Sequence, residues 1–366
     1  MMALSVMNIF PLFWSSLGYS DSSIGILNGV AMVAAILGPL FFGWIGSRKA
    51  PARIIAICFV ATGVVTPLML CFNGIGAQTL LFGVSQFLKV GFLTLVPVGV
   101  LHLLGPRAGL DYGRYRRVGS AGFLVAGFAG YLVQISNPGI AVWIVGVACV
   151  LAALPFLWHI QIPMVHAPDE GWKTLFSDRK TRYFLLGSLL LSTWNAGVWV
   201  FLPLRMREMG ATPSLISWTM AECGLIAILS LSLTGRIVDR IGRPALLYLA
   251  VPVAASLRLL LMASPDSTPQ WFLLIQWMHV LVWVLGEIVQ IQFVRKYTKP
   301  SLFPRIQAML MMCTYAGMGG ASALMGLLVE PFGLRATLAL SATLPLLALP
   351  FLWLAFKSIG PEAKAT

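Results

Sequence analysis

Long runs of apolar residues alternate with short polar turns along the whole chain. Twelve such spans are predicted and numbered here in chain order, span 1 to span 12: 3–14, 24–45, 53–72, 79–104, 118–135, 139–160, 183–204, 214–234, 244–263, 271–294, 302–329 and 335–356. A helix of about 20 apolar residues crosses the hydrocarbon core of a bilayer, whereas the alternation typical of a membrane barrel is absent. The pattern predicts an all-α membrane protein with twelve transmembrane helices.

The longest polar stretch lies in the middle of the chain and divides the twelve spans into two sets of six. We therefore expect an N-terminal six-helix half at 1–160, a central cytoplasmic loop at 161–182, a C-terminal six-helix half at 183–356 and a cytoplasmic tail at 357–366.

The two halves are similar in sequence. A shift of 192 residues aligns Gly18 with Gly210 and Arg48 with Arg240 without a gap. Duplicated halves around a central cavity are typical of transporters, so two pseudo-symmetric bundles are predicted. The alignment also places the start of span 7 upstream of Met1. Helix 1 is thus expected to be truncated, either because the coding frame extends upstream or because the gene is incomplete.

Composition excludes an ordinary soluble protein. Hydrophobic residues make up 58% and charged residues 10% of the chain, against roughly 25% charged residues in soluble domains. The net charge of +13 would suggest nucleic acid in a soluble protein, but here the basic residues are interpreted as topology signals, with no nucleic-acid partner. One set of alternate loops carries 20 Lys and Arg residues and the opposite set carries three. This bias predicts a multi-pass protein of the bacterial inner membrane with both termini in the cytoplasm.

No motif for soluble catalysis is present. The chain lacks the nucleotide-binding pattern GxxxxGK[ST], the zinc-protease pattern HExxH and the hydrolase pattern GxSxG. The five cysteines lie inside apolar spans and are interpreted as small hydrophobic residues. We therefore expect no enzyme activity, no cofactor and no metal. The expected partners are a small-molecule solute, a proton and the lipid bilayer, and the protein is expected to be a monomer.

A polar motif is repeated after spans 2 and 8. The second copy runs from Gly235 to Arg243, and the first runs from Gly43 to Arg48. Glycine permits close helix approach, and an acid can pair with a nearby arginine or a helix N-terminus, so the motif could clamp the cytoplasmic side shut. A simple basic loop is the alternative. The proposed gating residues are Gly43, Arg48, Gly235, Asp239, Arg240, Gly242 and Arg243.

These two motifs resemble the loop signature G-x-x-x-D-R-x-G-R of the major facilitator superfamily, although Ser47 stands where the first copy should have Asp. The start of span 5 resembles the YGRxRxxGSxGF pattern of the phenylpropionate-permease-like branch, which is related to lactose permease and the nucleoside:proton symporters. The residues that carry this second resemblance are Tyr112, Gly113, Arg114, Arg116, Gly119 and Ser120. The resemblance implies a secondary transporter that works by alternating access.

Charged residues inside the spans are the strongest functional signal. Lys89, Glu222, Arg258 and Glu287 lie within apolar spans, together with His279. Because a charge at the bilayer centre costs about 2.5–3.5 kcal/mol even on the lenient insertion scale, these side chains should face each other or a wet cavity.

Helical spacing places other polar and aromatic residues beside these charges. Span 10 aligns Gln276, His279, Trp283 and Glu287 on one stripe, and span 7 aligns Asn195 with Trp199. The predicted substrate-binding residues are Lys89, Gln86, Asn195, Trp199, Gln276 and Trp283. The predicted proton-coupling residues are Glu222, Glu287, His279 and Arg258, with Glu222 or Glu287 as the carrier.

Three functions are compatible with this reading. The first is proton-coupled symport of a small organic solute, and the resemblance suggests an aromatic carboxylate such as phenylpropionate, whose carboxylate Lys89 or Arg258 would meet. The second is a sugar or nucleoside:proton symporter, which would rely more on Asn195, Gln86, Gln276 and stacking tryptophans. The third is a transport-dead solute sensor or truncated pseudogene product. Structural roles also stay open: a buried Glu222–Arg258 pair, a packing histidine, packing tryptophans, and a surface-facing Glu287.

Overall fold

The structure is a computed structural model that describes residues 10–46, 49–104, 117–122, 124, 138–158, 160, 177–241, 244–265, 268–297 and 303–357. Regular structure in these ranges is helical. The helices are α1 (Phe10–Ser16), α2 (Asp21–Gly46), α3 (Pro51–Leu68), α4 (Ile75–Leu104), α5 (Pro138–Trp158), α6 (Arg179–Leu191), α7 (Trp194–Ala196), α8 (Leu202–Glu208), α9 (Pro213–Ile241), α10 (Pro244–Met262), α11 (Trp271–Gln276), α12 (Leu285–Tyr297), α13 (Phe303–Ser341), α14 (Thr343–Leu346) and α15 (Ala348–Lys357).

Within the described ranges, eight segments are long and apolar enough to cross a membrane. The all-α prediction is therefore confirmed. The count of twelve spans and the pseudo-symmetry stay predictions, as does the division into halves. Most of span 5, the central loop through 176 and the tail from 358 lie outside the described residues.

Most described spans form single helices, whereas spans 7, 10 and 12 are divided among shorter helices. Span 7 is divided among α6, α7 and α8, with a π-helical turn at Gly197–Phe201. Span 10 is divided between α11 and α12, with a π-helical turn at Val280–Val284. Spans 11 and 12 form one run, Arg305–Lys357, in which Gly333 interrupts the helical geometry with φ 75° and ψ 164°. The turn predicted between these two spans is found at this glycine.

The aligned glycines Gly18 and Gly210 end their helices in the same way. Both have positive φ, 86° and 77°, a conformation that glycine adopts without the penalty of a Cβ. In the first copy the backbone amide of Tyr19 donates to the carbonyl of Trp14. In the second copy the backbone amide of Ala211 donates to the carbonyl of Met206. These bonds are typical of the Schellman C-cap. The sequence repeat thus corresponds to a repeated local structure.

Small residues bring α2 and α13 into close contact. A Cβ added to Gly326 would lie 2.9 Å from the backbone nitrogen of Ile26, so glycine is required for this approach. The side chain of Asn28 donates to the Ser322 hydroxyl at 3.1 Å, and that hydroxyl donates to the carbonyl of Gly25 at 3.0 Å. Dense packing of small residues is the usual way for membrane helices to associate closely. We call this contact the α2–α13 seam.

An ion pair adds to the α2–α13 seam at the end where α2 begins. Arg207, at the end of α8, lies 3.3 Å from Asp21, the first residue of α2. The two residues are 186 positions apart in sequence. This end of the helical bundle is therefore held closed by polar and close-packed contacts between the N-terminal and C-terminal parts of the chain.

Candidate functional site

The interruption of span 7 is accompanied by side chains that bond to the backbone. The hydroxyl of Ser192 donates to the carbonyl of Ser188 at 2.7 Å, and that of Thr193 donates to Leu190 at 2.7 Å. The amide of Asn195 donates to the carbonyl of Ser192 at 2.9 Å. Such local bonds offer the backbone an alternative to regular helix. π-Helical turns within helices are frequent at functional sites, and the predicted site residues of spans 7 and 10 lie beside both turns.

The aromatic residues of the two interrupted spans meet around His279. The His279 ring stacks on Trp283 with centroids 5.2 Å apart and an interplanar angle of 10°. Trp199 meets the same imidazole edge-on at 6.3 Å and donates its indole N–H to Asn195 Oδ1 at 3.0 Å. His279 is buried, whereas both tryptophans are partly exposed. Span 7 and span 10 thus contribute neighbouring walls of one aromatic site, as the stripes predicted.

Arg258, on α10, lies fully buried behind this aromatic site. Its guanidinium donates to Gln276 Oε1 and lies 3.5 Å from His279 Nδ1. The Nε2 amide of Gln276 donates to the backbone carbonyl of Thr219 at 2.9 Å. The guanidinium carbon lies 5.4 Å from the centroid of the Trp194 ring, a cation–π distance. Arg258 therefore connects spans 7, 8 and 10 with its own span 9.

Within the described ranges no carboxylate forms an ion pair with Arg258. A guanidinium stays charged in proteins, so its positive charge persists in this buried environment. The guanidinium donates to His279 Nδ1 when the imidazole carries its proton on Nε2. The site thus carries a positive potential that is not cancelled by a neighbouring acid.

The N-terminal part contributes Gln86 and Lys89 from α4. Lys89 is partly buried and lies opposite the exposed Leu80 on this helix, on the same side as the buried Phe82. The Cys149 thiol is close enough to interact with the Lys89 ammonium. Gln86 is buried, and its Oε1 has no hydrogen-bond partner among the described residues. Both predicted residues therefore lie on the inward face of α4.

Glu222 lies on α9 and is buried. On α9 it shares a face with the exposed Leu229 and Leu233, seven and eleven residues further on. Its carboxylate is within hydrogen-bonding range of the Trp277 indole. No ion pair joins Glu222 to Arg258 among the described residues. The structure therefore brings Arg258 and His279 together, whereas the Glu222 carboxylate lies beside the Trp277 indole.

Glu287 lies one helical turn beyond Trp283 in span 10. It is partly buried and is close enough to interact electrostatically with the buried Tyr248 of α10. Tyr248 packs on Phe184 of α6, with ring centroids 5.7 Å apart. Glu287 therefore extends the inward stripe of His279 and Trp283 toward the other end of the helix.

The proposed gating motif is described only in part. Gly43 and Gly235 lie in helices α2 and α9, but a Cβ added at either would meet no described atom within 4 Å. The expectation that these glycines permit close helix approach stays a prediction, because no described atom comes near either position. Asp239 and the exposed Arg240 continue α9. Arg48, Gly242 and Arg243 lie outside the described residues.

The start of span 5 is also described only in part. Tyr112, Gly113, Arg114 and Arg116 lie outside the described residues, whereas Gly119 and the buried Ser120 are within them. A Cβ added to Gly224 of α9 would lie 2.9 Å from the Ser120 carbonyl oxygen. The described part of span 5 thus packs closely against α9 at Gly224.

Two important contacts were missed from sequence. Trp194 contacts the Arg258 guanidinium, and its position next to Asn195 was the available signal. Asp21 and Arg207 pair across the bundle, but neither residue stood out because both lie at helix ends, next to turns. Charged residues in turns are common, so sequence position alone does not indicate a partner.

Comparison with known proteins agrees with this architecture. Residues 5–339 match the family described as the MFS_1 like family. The chain is 23% identical over 344 residues to the "Probable 3-phenylpropionic acid transporter" of Escherichia coli (strain K12), a match that covers 87% of this chain and 85% of that protein.

Solved structures share the fold. The nucleoside transporter NupG, as its D323A mutant, superposes with a TM-score of 0.78 at 19% identity, over 96% of this chain and 94% of that one. A bacterial homologue of the human lysosomal transporter Spinster, in an inward-facing and occupied conformation, gives a TM-score of 0.75 at 14% identity, over 100% of this chain and 95% of that one.

Proposed function

Because the chain belongs to the MFS_1 like family of major facilitator superfamily transporters, we propose that it carries a small aromatic carboxylate together with a proton by alternating access. The protein is a multi-pass membrane transporter and not an enzyme. We further propose that it acts as a monomer in the bacterial inner membrane with both termini in the cytoplasm. The basic bias of alternate loops supports this orientation.

The observation that carries the proposal is the pair of inward cations without acidic partners. Arg258 and Lys89 form no ion pair within the described ranges, and Trp199 and Trp283 lie partly exposed near Arg258. An anion with an aromatic ring would complement both features, through charge and through ring stacking. Since Arg258 is fully buried, we propose that Lys89 meets the carboxylate and that Arg258 holds Gln276 and His279 in place. The relative from Escherichia coli, by its name, carries a molecule of this class.

A nucleoside or sugar fits the site less well. Such solutes need side-chain amides that are free to bond hydroxyl groups or base edges. The amide of Gln276 already bonds Arg258 and Thr219, and that of Asn195 already bonds Trp199 and Ser192. Of the three amides that this alternative requires, Gln86 alone has an acceptor without a partner among the described residues.

Replacement of Lys89 tests the anion site. Lys89→Gln removes the positive charge and keeps a polar side chain of similar reach, so we expect 3-phenylpropionate binding to weaken at least about tenfold, the loss of one charge-assisted hydrogen bond. Lys89→Arg should retain binding within a few-fold and serves as the matched control. Binding is measured on purified protein in nanodiscs by calorimetry. Unchanged affinity in Lys89→Gln would contradict a carboxylate contact at this residue.

The polar motif at the end of α9 leads to a kinetic prediction. Asp239→Asn should slow transport with little change in solute affinity, because Asp239 belongs to the proposed cytoplasmic clamp and lies far along α9 from the aromatic site. Uptake and binding are measured in the same membranes. Normal uptake at normal expression would show that the motif is only a topology signal.

A further inference from the structure

Arg258 carries a buried charge whose hydrogen-bond partners are neutral groups. Its guanidinium donates to the Gln276 side chain and lies 3.5 Å from His279 Nδ1. The Cys223 thiol of α9 is also close enough to interact with the guanidinium, and burial favours the neutral form of a thiol. A buried charge without a counter-charge is costly. A further group is therefore needed to stabilise the cation at this position.

The Trp194 ring covers this guanidinium. The guanidinium carbon lies 5.4 Å from the ring centroid, and the same ring meets the His279 imidazole edge-on at 6.5 Å. Trp194 is 4% exposed and Arg258 is fully buried, so water does not weaken this cation–π contact. The indole of span 7 thus contacts both members of the Arg258–His279 pair.

The break in span 7 places Trp194 against α10. Backbone amides on both sides of Trp194 donate to the carbonyl three residues back, which winds the chain more tightly than an α-helix. Gly197 then allows α10 to approach, because a Cβ at this position would overlap the Leu259 side chain. Leu259 is next to Arg258 in sequence, so the close approach of the two spans also brings the Trp194 ring over the guanidinium.

An aromatic ring stabilises a cation in a different way from a carboxylate. A carboxylate cancels the charge, so an ion pair has only a weak field at a distance. An indole has no net charge and attracts a cation through its quadrupole, whose field falls off much faster with distance. The full positive charge of Arg258 therefore remains effective in the aromatic site around His279.

We propose that Trp194 is a positioning residue that sets the specificity for anionic solutes. Its indole takes the place of an acid beside Arg258, so the guanidinium is held in position and the site stays positively charged. This inference rests on the proposed function, because the retained charge attracts the carboxylate that Lys89 then binds. An acid in the place of Trp194 would cancel the charge and favour a neutral solute.

Fluorinated tryptophans introduced at position 194 by stop-codon suppression test the contact with Arg258. Fluorine draws electron density from the ring with little change in its size, so each added fluorine weakens a cation–π contact. The thermal unfolding temperature of the full-length protein in nanodiscs should fall stepwise as one, two and three fluorines are introduced. The same series should have no effect in Arg258→Gln, which lacks the cation. No dependence in the parent protein, or an equal dependence in Arg258→Gln, would overturn the proposal.

Trp14 provides a control that does not require a change at Arg258. Its ring is fully buried and packs on Phe10 and Phe82. Fluorines at Trp14 should therefore lower the unfolding temperature less than fluorines at Trp194 do. Equal destabilisation at both positions would show a general effect of fluorine and would contradict the cation–π contact.

The effect on specificity is measured as the preference for an anion over a neutral analogue. Calorimetry gives the affinities of 3-phenylpropionate and of 3-phenylpropionamide, which has the same shape without the charge. Their ratio should fall across the fluorine series at Trp194 by about 2-fold to 30-fold, the range that corresponds to loss of a cation–π contact. Equal weakening of both ligands would show that Trp194 acts only through packing, against the proposed role in specificity.

The two measurements separate this inference from the proposed function. If the parent protein binds neither ligand, the proposed solute is wrong, and the unfolding temperatures still decide whether Trp194 stabilises the Arg258 cation. If the parent protein binds 3-phenylpropionate but fluorine at Trp194 changes neither the unfolding temperature nor the affinity ratio, the role of Trp194 is wrong and the proposed function stands.

Discussion

Glu287→Gln is expected to abolish accumulation of solute against its gradient and to leave exchange of labelled for unlabelled solute intact. Glutamine keeps the size of the side chain but binds no proton at neutral pH. During exchange the protein carries solute across the membrane in both directions, so no net proton movement is needed. Accumulation, in contrast, requires a proton to cross with each solute molecule. The sequence offered two acids for this role, and we propose Glu287, because it extends the inward stripe of His279 and Trp283.

The size of the effect follows from the driving force. A carboxylate that moves with one proton carries no net charge, so a gradient of one pH unit supports about tenfold accumulation. Glu287→Gln should reduce this ratio to about one, measured with labelled 3-phenylpropionate in proteoliposomes under an imposed pH gradient. Exchange in the same proteoliposomes should stay within a few-fold of the parent protein, which verifies that the variant is folded.

Glu222→Gln is the matched control for this experiment. It is the same chemical change in the neighbouring helix, but at a buried carboxyl that does not belong to the inward stripe of His279 and Trp283, so accumulation should persist. If Glu222→Gln loses accumulation and Glu287→Gln retains it, Glu222 is the proton carrier and the assignment to Glu287 is wrong. Normal accumulation in both single variants and in the double variant would exclude either acid as the proton carrier.

Gly326→Ala should disrupt the α2–α13 seam and strongly reduce transport. The new Cβ would lie 2.9 Å from the Ile26 nitrogen and 2.9 Å from the Ser22 carbonyl oxygen, and backbone atoms cannot move aside as a flexible side chain can. Overpacking of this kind costs about 1–3 kcal/mol, which shifts the equilibrium away from the closed seam by roughly 5-fold to 150-fold. A transporter that cannot close at this end rarely completes the transport cycle.

Gly320→Ala provides the control on the same helix. A Cβ at Gly320 meets no described atom within 4 Å, and the gain in helix propensity is the same at both positions. Closure is measured as disulfide formation between Asn28→Cys and Ser322→Cys, whose parent side chains are 3.1 Å apart, with the five native cysteines replaced. Cross-linking should fall several-fold with Gly326→Ala and persist with Gly320→Ala. Equal cross-linking in both would contradict the packing argument.

Sequence reasoning identified the aromatic site better than it identified the acids. Asn195 lies four residues before Trp199 in sequence, and His279 lies four residues before Trp283. Each pair therefore lies on one face of its helix, whether or not the helix is regular nearby. The contact between the two spans follows from the inward direction of both stripes. The π-helical turns were not predicted, because they depend on competition between local side-chain bonds and tertiary packing.

The side of α9 that carries Glu222 could not be settled from sequence. In a soluble protein the aliphatic stripe of a helix marks the core, but in a membrane protein the lipid-facing stripe is equally aliphatic. Leu229 and Leu231 therefore give no signal that separates outside from inside. The Gly18 and Gly210 caps were predictable, since a repeated glycine after an apolar helix has a specific backbone role that tertiary packing does not change.

Uptake of labelled 3-phenylpropionate by proteoliposomes containing the purified protein tests the central claim most directly. The account predicts accumulation that follows an imposed pH gradient, collapses when the gradient is dissipated, and is competed by other aromatic carboxylates but not by a nucleoside. Uptake of the nucleoside in preference to 3-phenylpropionate, or uptake that ignores the pH gradient, would contradict it.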